Sequence, residues 1–142
     1  MNNELLDLEL EYELEELYIL SKHWIQDISF VETELRFFKE IADKYSAANH
    51  QDISTLQRFK QKMVCQEANL AALKDCVPEY LKSLGPYIKD LKKTIPLNLV
   101  EQFTALQLNV QEMFDDFKSL RKELFEVAEK IIKEHGHNLN NN

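Results

Sequence analysis

Four histidines and a large set of carboxylates are the side chains of this 142-residue chain best suited to metal chemistry. A carboxylate-bridged di-iron site in a helical bundle requires two inward-facing Glu-x-x-His pairs and further inward glutamates. Only Glu134 and His137 have this spacing, and Gly136, a predicted helix end, lies between them. The sequence therefore does not favour a di-iron enzyme, and we predict no metal ligands.

The histidines nevertheless leave an alternative open. His50 is predicted in a loop, and His135 and His137 are predicted at the same end of the bundle, where three imidazoles could bind a metal ion weakly. His23 is a second candidate, because Asp27 follows it one helical turn later and could tune its imidazole. Solvated histidines are the commoner explanation of both patterns. A metal- or small-ligand-binding bundle is thus the alternative to a structural one.

The two cysteines do not form a disulfide if they lie in one helix. Cys65 and Cys76 are eleven residues apart, which is about 16 Å along a helix axis and beyond disulfide reach. We expect reduced thiols. No Ser, Cys or Thr has a base at helical spacing, and no glycine-rich phosphate loop occurs, so we predict no catalytic residues, no cofactor and no enzymatic activity.

Charge and hydropathy narrow the choice of partners. The formal net charge of −8 does not provide the clustered basic face that nucleic acid requires, and it disfavours anionic membrane surfaces. No apolar run approaches the ~18–20 residues of a membrane span, and the start of the chain does not resemble a signal peptide. The sequence therefore predicts a cytoplasmic protein with neither nucleic-acid nor membrane partners.

A heptad pattern organises the first third of the chain. Apolar or small residues recur there at alternating steps of three and four, which predicts a long helix over about residues 4–46 that packs against partner helices. No glycine or proline interrupts this stretch. The pattern consists of Leu10, Leu14, Leu17, Ser21, Trp24, Ile28, Val31, Leu35, Phe38, Ala42 and Tyr45.

Two further segments continue the same spacing. The second is predicted over about residues 52–92, where Pro78 and the pair Gly85-Pro86 lie inside the pattern, so we expect one kinked helix or two helices end to end. The third is predicted over about residues 97–135 and ends at Gly136, a typical helix C-cap. Its pattern consists of Phe103, Leu106, Val110, Met113, Phe117, Leu120, Leu124, Val127 and Ile131.

These elements predict an all-α fold, an elongated antiparallel up-down-up three-helix bundle with coiled-coil-like heptad packing. Residues 1–136 form the predicted domain, and residues 137–142 a disordered polar tail. Pairing residues equidistant from each loop predicts a central layer in which Trp24 packs against Val77 and Met113.

Part of the chain resembles a group of proteins. The run from Trp24 to Phe38 is similar to a helix of the form W-x3-L-x-F-x3-E-[IL]-x-F-F that occurs in small uncharacterised helical-bundle proteins of the Bacteroidota. The matching residues are Trp24, Ile28, Phe30, Glu34, Leu35, Phe37 and Phe38, followed in the second helix by Phe59, Gln61, Gln66, Leu73 and Lys74. The resemblance implies a three-helix fold and no particular function.

Apolar residues left outside the heptad pattern are the candidate functional residues. On the first helix they form a second ridge of Leu20, Phe30, Phe37 and Ile41, and on the third they are Phe114, Phe125, Ala128 and Ile132. Part of this surplus could widen the core, because each helix of the bundle faces two neighbours. We predict that the ridge binds a protein partner, and a second copy of the chain is one candidate.

Overall fold

The computed structural model of the chain consists of three helices and describes residues 2–48, 53–90 and 95–140, with side chains described within 12–45, 54–90 and 95–133. Helix α1 spans Asn2–Ala48, α2 spans Ile53–Lys89 and α3 spans Leu97–Asn140. The described residues contain no β-strand. The prediction of an all-α, antiparallel three-helix bundle is confirmed.

Burial follows the heptad spacing in all three helices. In α1 every heptad position from Leu14 to Ala42 is buried except Leu17, which is partly buried. The same steps of three and four give the buried positions of α2 and α3, and they include two polar residues, Ser21 and Gln66. An α-helix turns once per 3.6 residues, so this spacing keeps one stripe of each helix facing its neighbours.

The chain divides by its internal contacts into two compact units, each with a segment of all three helices. Unit 1 comprises Met1–Phe30 and Ala71–Glu112, and unit 2 comprises Val31–Leu70 and Met113–Asn142. The prediction that residues 1–136 form a single domain stays a prediction.

The core of unit 1 is built around aromatic rings. The Trp24 ring stacks on that of Phe103 at a centroid distance of 5.0 Å, and the Tyr80 ring lies 6.3 Å from Phe103. The Tyr80 hydroxyl donates a hydrogen bond to the backbone carbonyl oxygen of Leu99 at 3.0 Å. These contacts join one segment each of α1, α2 and α3.

The register predicted for α3 is wrong. Trp24 stacks on Phe103, which precedes the predicted neighbour Met113 by ten residues. The reason is where α3 begins: Leu99 lies beside Tyr80, more than two helical turns before α2 ends at Lys89. The predicted register paired residues that are equally distant from the loop, which assumes that α3 begins level with the end of α2. Instead, the start of α3 lies beside an earlier part of α2.

The core of unit 2 also contains a stacked pair. The rings of Phe38 and Phe117 are parallel to within 2°, with centroids 5.5 Å apart. Tyr45 packs against a cluster in which Leu56 of α2 meets Val127 and Ile131 of α3. Because Phe38 contacts Phe117 and the later residue Tyr45 packs near the later residues Val127 and Ile131, α1 and α3 run parallel.

Both internal prolines of α2 are accommodated within one helix. Pro78 and Pro86 lie inside Ile53–Lys89, so the second segment is a single continuous helix rather than two helices end to end. Both rings are on the exposed side. Near the end of the helix the N–H of Asp90 still donates to the carbonyl oxygen of Pro86 at 3.1 Å. The bend near Pro78 and Gly85-Pro86 stays a prediction.

The end of α3 differs from the sequence prediction. The helix continues through Gly136 to Asn140, beyond the end predicted for it, and the disorder predicted for residues 137–142 stays a prediction. Glycine within a helix costs only about 1 kcal/mol relative to alanine, and the sequence after Gly136 contains no proline that would stop the helix. Residues 141–142 lie outside the described part of the chain.

Tyr80 makes unit 1 sensitive to alkaline pH. Burial raises the pKa of Tyr80 from 10.0 to about 12, because the buried phenolate would lose its hydration. Between these values the unfolded chain ionises while the folded chain stays protonated. The contribution of the protonated Tyr80 to the free energy of unfolding is therefore complete below pH 10. It is lost at roughly 1.4 kcal/mol per pH unit between pH 10 and about 12.

We expect Tyr80→Phe to reveal this dependence in urea unfolding. At pH 8 the variant should be less stable than wild type by about 1 kcal/mol, because it lacks the hydrogen bond to Leu99. The difference should shrink above pH 10 and reverse sign as the pH approaches about 12. A difference that stays constant from pH 8 to the alkaline limit would contradict the raised pKa.

Candidate interaction surfaces

Three of the four predicted partner-binding residues are exposed. Phe30 is 55% exposed, Phe37 56% and Leu20 37%, whereas Ile41 is partly buried. Phe30 and Phe37 are therefore not ordinary core residues, and a broad core does not account for them. Partner binding by these four residues stays a prediction.

Phe37 and Phe38 are adjacent in sequence, but Phe37 is exposed and Phe38 is buried. Successive residues of an α-helix are rotated by about 100°, so two adjacent phenylalanines cannot share one face. Phe38 lies in the heptad stripe and stacks on Phe117, while Phe37 projects to solvent. A buried phenylalanine serves the core, and an exposed one needs another explanation.

Unit 1 exposes the first part of the ridge, where Leu20 and Phe30 lie on α1. Two isoleucines of the same helix, Ile19 and Ile25, are also exposed, and the sequence analysis did not single them out. Because exposed aliphatic residues scattered singly are normal, their type alone gave no signal.

In unit 2 the ion pairs reveal which sides of the helices face each other. Lys60 of α2 pairs with Asp43 of α1 at 2.9 Å between Nζ and Oδ1, and Lys62 of α2 pairs with Glu123 of α3 at 3.1 Å. The Glu123 flank of α3 therefore faces α2. The opposite flank of α3 contains Phe114 and Ala128, which are partly buried, and it must face α1.

Unit 2 exposes apolar side chains on both α1 and α3. Phe125 and Ile132, both 60% exposed, lie one heptad apart just outside the flank of α3 that faces α1. Phe37 and Ile41 lie on α1, and because Phe38 stacks on Phe117, Phe37 lies about two helical turns before Phe125 along the two helices. We call these four residues the α1–α3 face. Arg121 borders it, with its guanidinium carbon 5.9 Å from the centre of the Phe117 ring.

The two buried polar residues differ in how their hydrogen bonds are satisfied. The Ser21 hydroxyl donates to the backbone carbonyl oxygen of Leu17 at 2.7 Å. Gln66 is 3% exposed, and its Nε2 donates to the carbonyl oxygen of Met113 at 2.8 Å. The Gln66 Oε1 is enclosed, and no donor reaches it from the described part of the chain.

This orphan acceptor leads to a stability prediction for Gln66→Met. A buried acceptor without a donor costs about 1–3 kcal/mol, whereas a thioether of similar length needs no donor. We expect the free energy of unfolding in urea to rise by about 1 kcal/mol. Gln57→Met, on the exposed side of α2, should leave it unchanged. A loss of stability in the Gln66 variant alone would show that the hydrogen bond to Met113 outweighs the orphan oxygen.

No protein-family model, curated protein or solved structure matches this chain. The resemblance to helical-bundle proteins of the Bacteroidota therefore stays a prediction. Among the described residues, no helix combines the length and the apolar character needed to cross a membrane.

The predicted metal candidates are not brought together within the described residues. His23 is exposed on α1, His50 lies outside the described residues, and the side chains of His135 and His137 are likewise not described. The part of the chain with described side chains contains no group of three or more His, Cys, Asp or Glu that could hold a metal ion. Cys65 and Cys76 are free and exposed.

Proposed function

We propose that the protein is a non-catalytic, cytoplasmic interaction module that binds a protein partner through exposed apolar surfaces of its helices. The observation that carries this proposal is the exposure of three large apolar side chains in unit 2, Phe37 on α1 and Phe125 and Ile132 on α3. Exposed apolar surface with a charged border is typical of protein interaction sites. The acidic net charge favours a protein partner over nucleic acid or an anionic membrane.

A second copy of the chain is the first partner to test. Burial of apolar surface contributes about 25 cal/mol per Å², and association must offset the lost rotational and translational freedom. The α1–α3 face contains few large side chains, so we expect a weak to moderate dimer and not an obligate one.

Sedimentation equilibrium tests this proposal. The wild type should show a rising average mass towards high micromolar concentration, and Phe37→Glu should return it to the monomer mass because a carboxylate would have to be desolvated in the contact. Phe30→Glu applies the same test to unit 1. Gln57→Glu and Gln26→Glu add the same charge at other exposed positions and should change nothing.

A wild type that remains monomeric throughout this range would contradict self-association. The alternative function is a metal- or small-ligand-binding bundle that uses His23 or the histidines near the chain end. Metal analysis of the purified protein distinguishes the two, since one equivalent of bound metal would favour the alternative.

A further inference from the structure

Unit 2 contains a cleft between α2 and α3, away from the α1–α3 face. Its volume is about 550 Å³, within the range of small-molecule pockets. The cleft is lined from α2 by Arg58, Lys62, Gln66 and Asn69, and from α3 by Asp116 and Glu123. Charged and amide groups thus meet over an apolar floor that includes the buried Leu120.

One ion pair crosses the cleft, and its two opposite charges neutralise each other. Lys62 Nζ lies 3.1 Å and 3.2 Å from the two carboxylate oxygens of Glu123. Because α2 and α3 are antiparallel, moving one heptad further along α2 and one heptad back along α3 leads to the pair Asn69 and Asp116. At this equivalent position the Asp116 carboxylate faces an amide and not a cation.

The two remaining charges lie at opposite ends of the cleft. Arg58 precedes Lys62 by one helical turn, on the side away from Asp116. Within the described part of the chain, neither Arg58 nor Asp116 forms an ion pair. The cleft therefore presents a cationic end and an anionic end, separated by the neutral Lys62–Glu123 bridge.

This arrangement indicates the chemistry of a ligand. The level of Asn69 and that of Arg58 are eleven residues apart, or roughly 16 Å along the helix, which is the length of an extended pentapeptide. We propose that the cleft binds a short zwitterionic peptide, with its amino terminus at Asp116 and its carboxylate at Arg58. A simple anion or a simple cation would satisfy only one end.

Gln66 provides an independent reason to place a peptide here. It forms part of the cleft wall midway between Lys62 and Asn69, and its buried Oε1 has no donor. A peptide carries backbone N–H groups between its charged ends. When the Gln66 side chain rotates towards the cleft, one of these N–H groups can donate to its Oε1, in exchange for the hydrogen bond from Nε2 to Met113.

The test is an NMR titration of the full chain, labelled with ¹⁵N, using the peptide Gly-Gly-Leu-Gly-Gly. We expect saturable shifts of the side-chain amide signals of Gln66 and Asn69, with a dissociation constant of about 1 mM. N-acetyl-Gly-Gly-Leu-Gly-Gly amide has neither terminal charge and should not bind. Asp116→Asn and Arg58→Gln should each weaken binding by about fivefold or more.

Matched variants separate the cleft from general charge effects. Asp115→Asn changes the residue next to Asp116 outside the cleft, and Arg36→Gln removes an exposed arginine of α1 in the same unit. Both should bind the peptide as wild type does. The proposal is overturned if no saturable shift occurs up to about 20 mM peptide, if the blocked peptide binds equally well, or if the control variants lose as much affinity as the cleft variants. In each of these cases the cleft does not recognise the charged termini of a peptide.

Discussion

Replacing Trp24 with alanine is expected to lower the free energy of unfolding by roughly 3–5 kcal/mol. Trp24 is 7% exposed and stacks on Phe103 in the core of unit 1. The substitution removes the transfer energy of the indole, leaves a cavity and deletes an aromatic contact. Urea unfolding followed by far-UV circular dichroism measures the loss, because Trp24 is the only tryptophan and its fluorescence disappears with it.

Ile25→Ala is the matched control for this measurement. Ile25 follows Trp24 directly but is exposed, so its truncation should cost less than about 1 kcal/mol. If Trp24→Ala also cost less than about 1 kcal/mol, the aromatic core of unit 1 as described here would be wrong.

In unit 2 we expect a similar loss, roughly 3–5 kcal/mol, for Phe38→Ala. Phe38 is buried, and its ring stacks on Phe117 at 5.5 Å. Its neighbour provides an unusually close control, since Phe37→Ala removes the same atoms from an exposed position and should cost less than about 1 kcal/mol. Urea unfolding of the two variants in parallel measures both values, and equal losses would contradict the placement of these two rings.

The buried stripe of each helix could be predicted from sequence because it depends on a local property. The period of an α-helix relates residues only three or four positions apart, so a sustained pattern specifies its own face. The prediction extends even to a polar position, since Ser21 lies in the predicted pattern of the first helix and is buried.

The relation between helices could not be predicted in the same way. Trp24 meets Phe103 and not Met113 because of where α3 begins relative to α2, which depends on the path of the connecting residues. The end of α3 was missed for a different reason. Glycine is favoured at helix ends but does not compel one, and the helix continues through Gly136.

The candidate interaction surfaces could be predicted from the sequence only in part. The angle of Phe30 and Phe37 from the heptad stripe placed both outside the predicted core in advance, and both are exposed. The cleft could not be anticipated, because it depends on which residues of α2 and α3 lie opposite each other. The pair Lys62 and Glu123 is 61 residues apart in sequence, and no local pattern links them.

The two prolines within α2 have a consequence for how its backbone exchanges with water. Proline has no amide hydrogen, so Pro78 and Pro86 supply no hydrogen bond to the carbonyl oxygens one turn before them. The stretch between them belongs to unit 1 and depends on the burial of Tyr80 and Leu84 to remain helical. Fewer backbone bonds must break to open this stretch than to open the proline-free part of α2 in unit 2. We therefore expect the protection of amide hydrogens to be graded along this one helix and weakest towards Lys89.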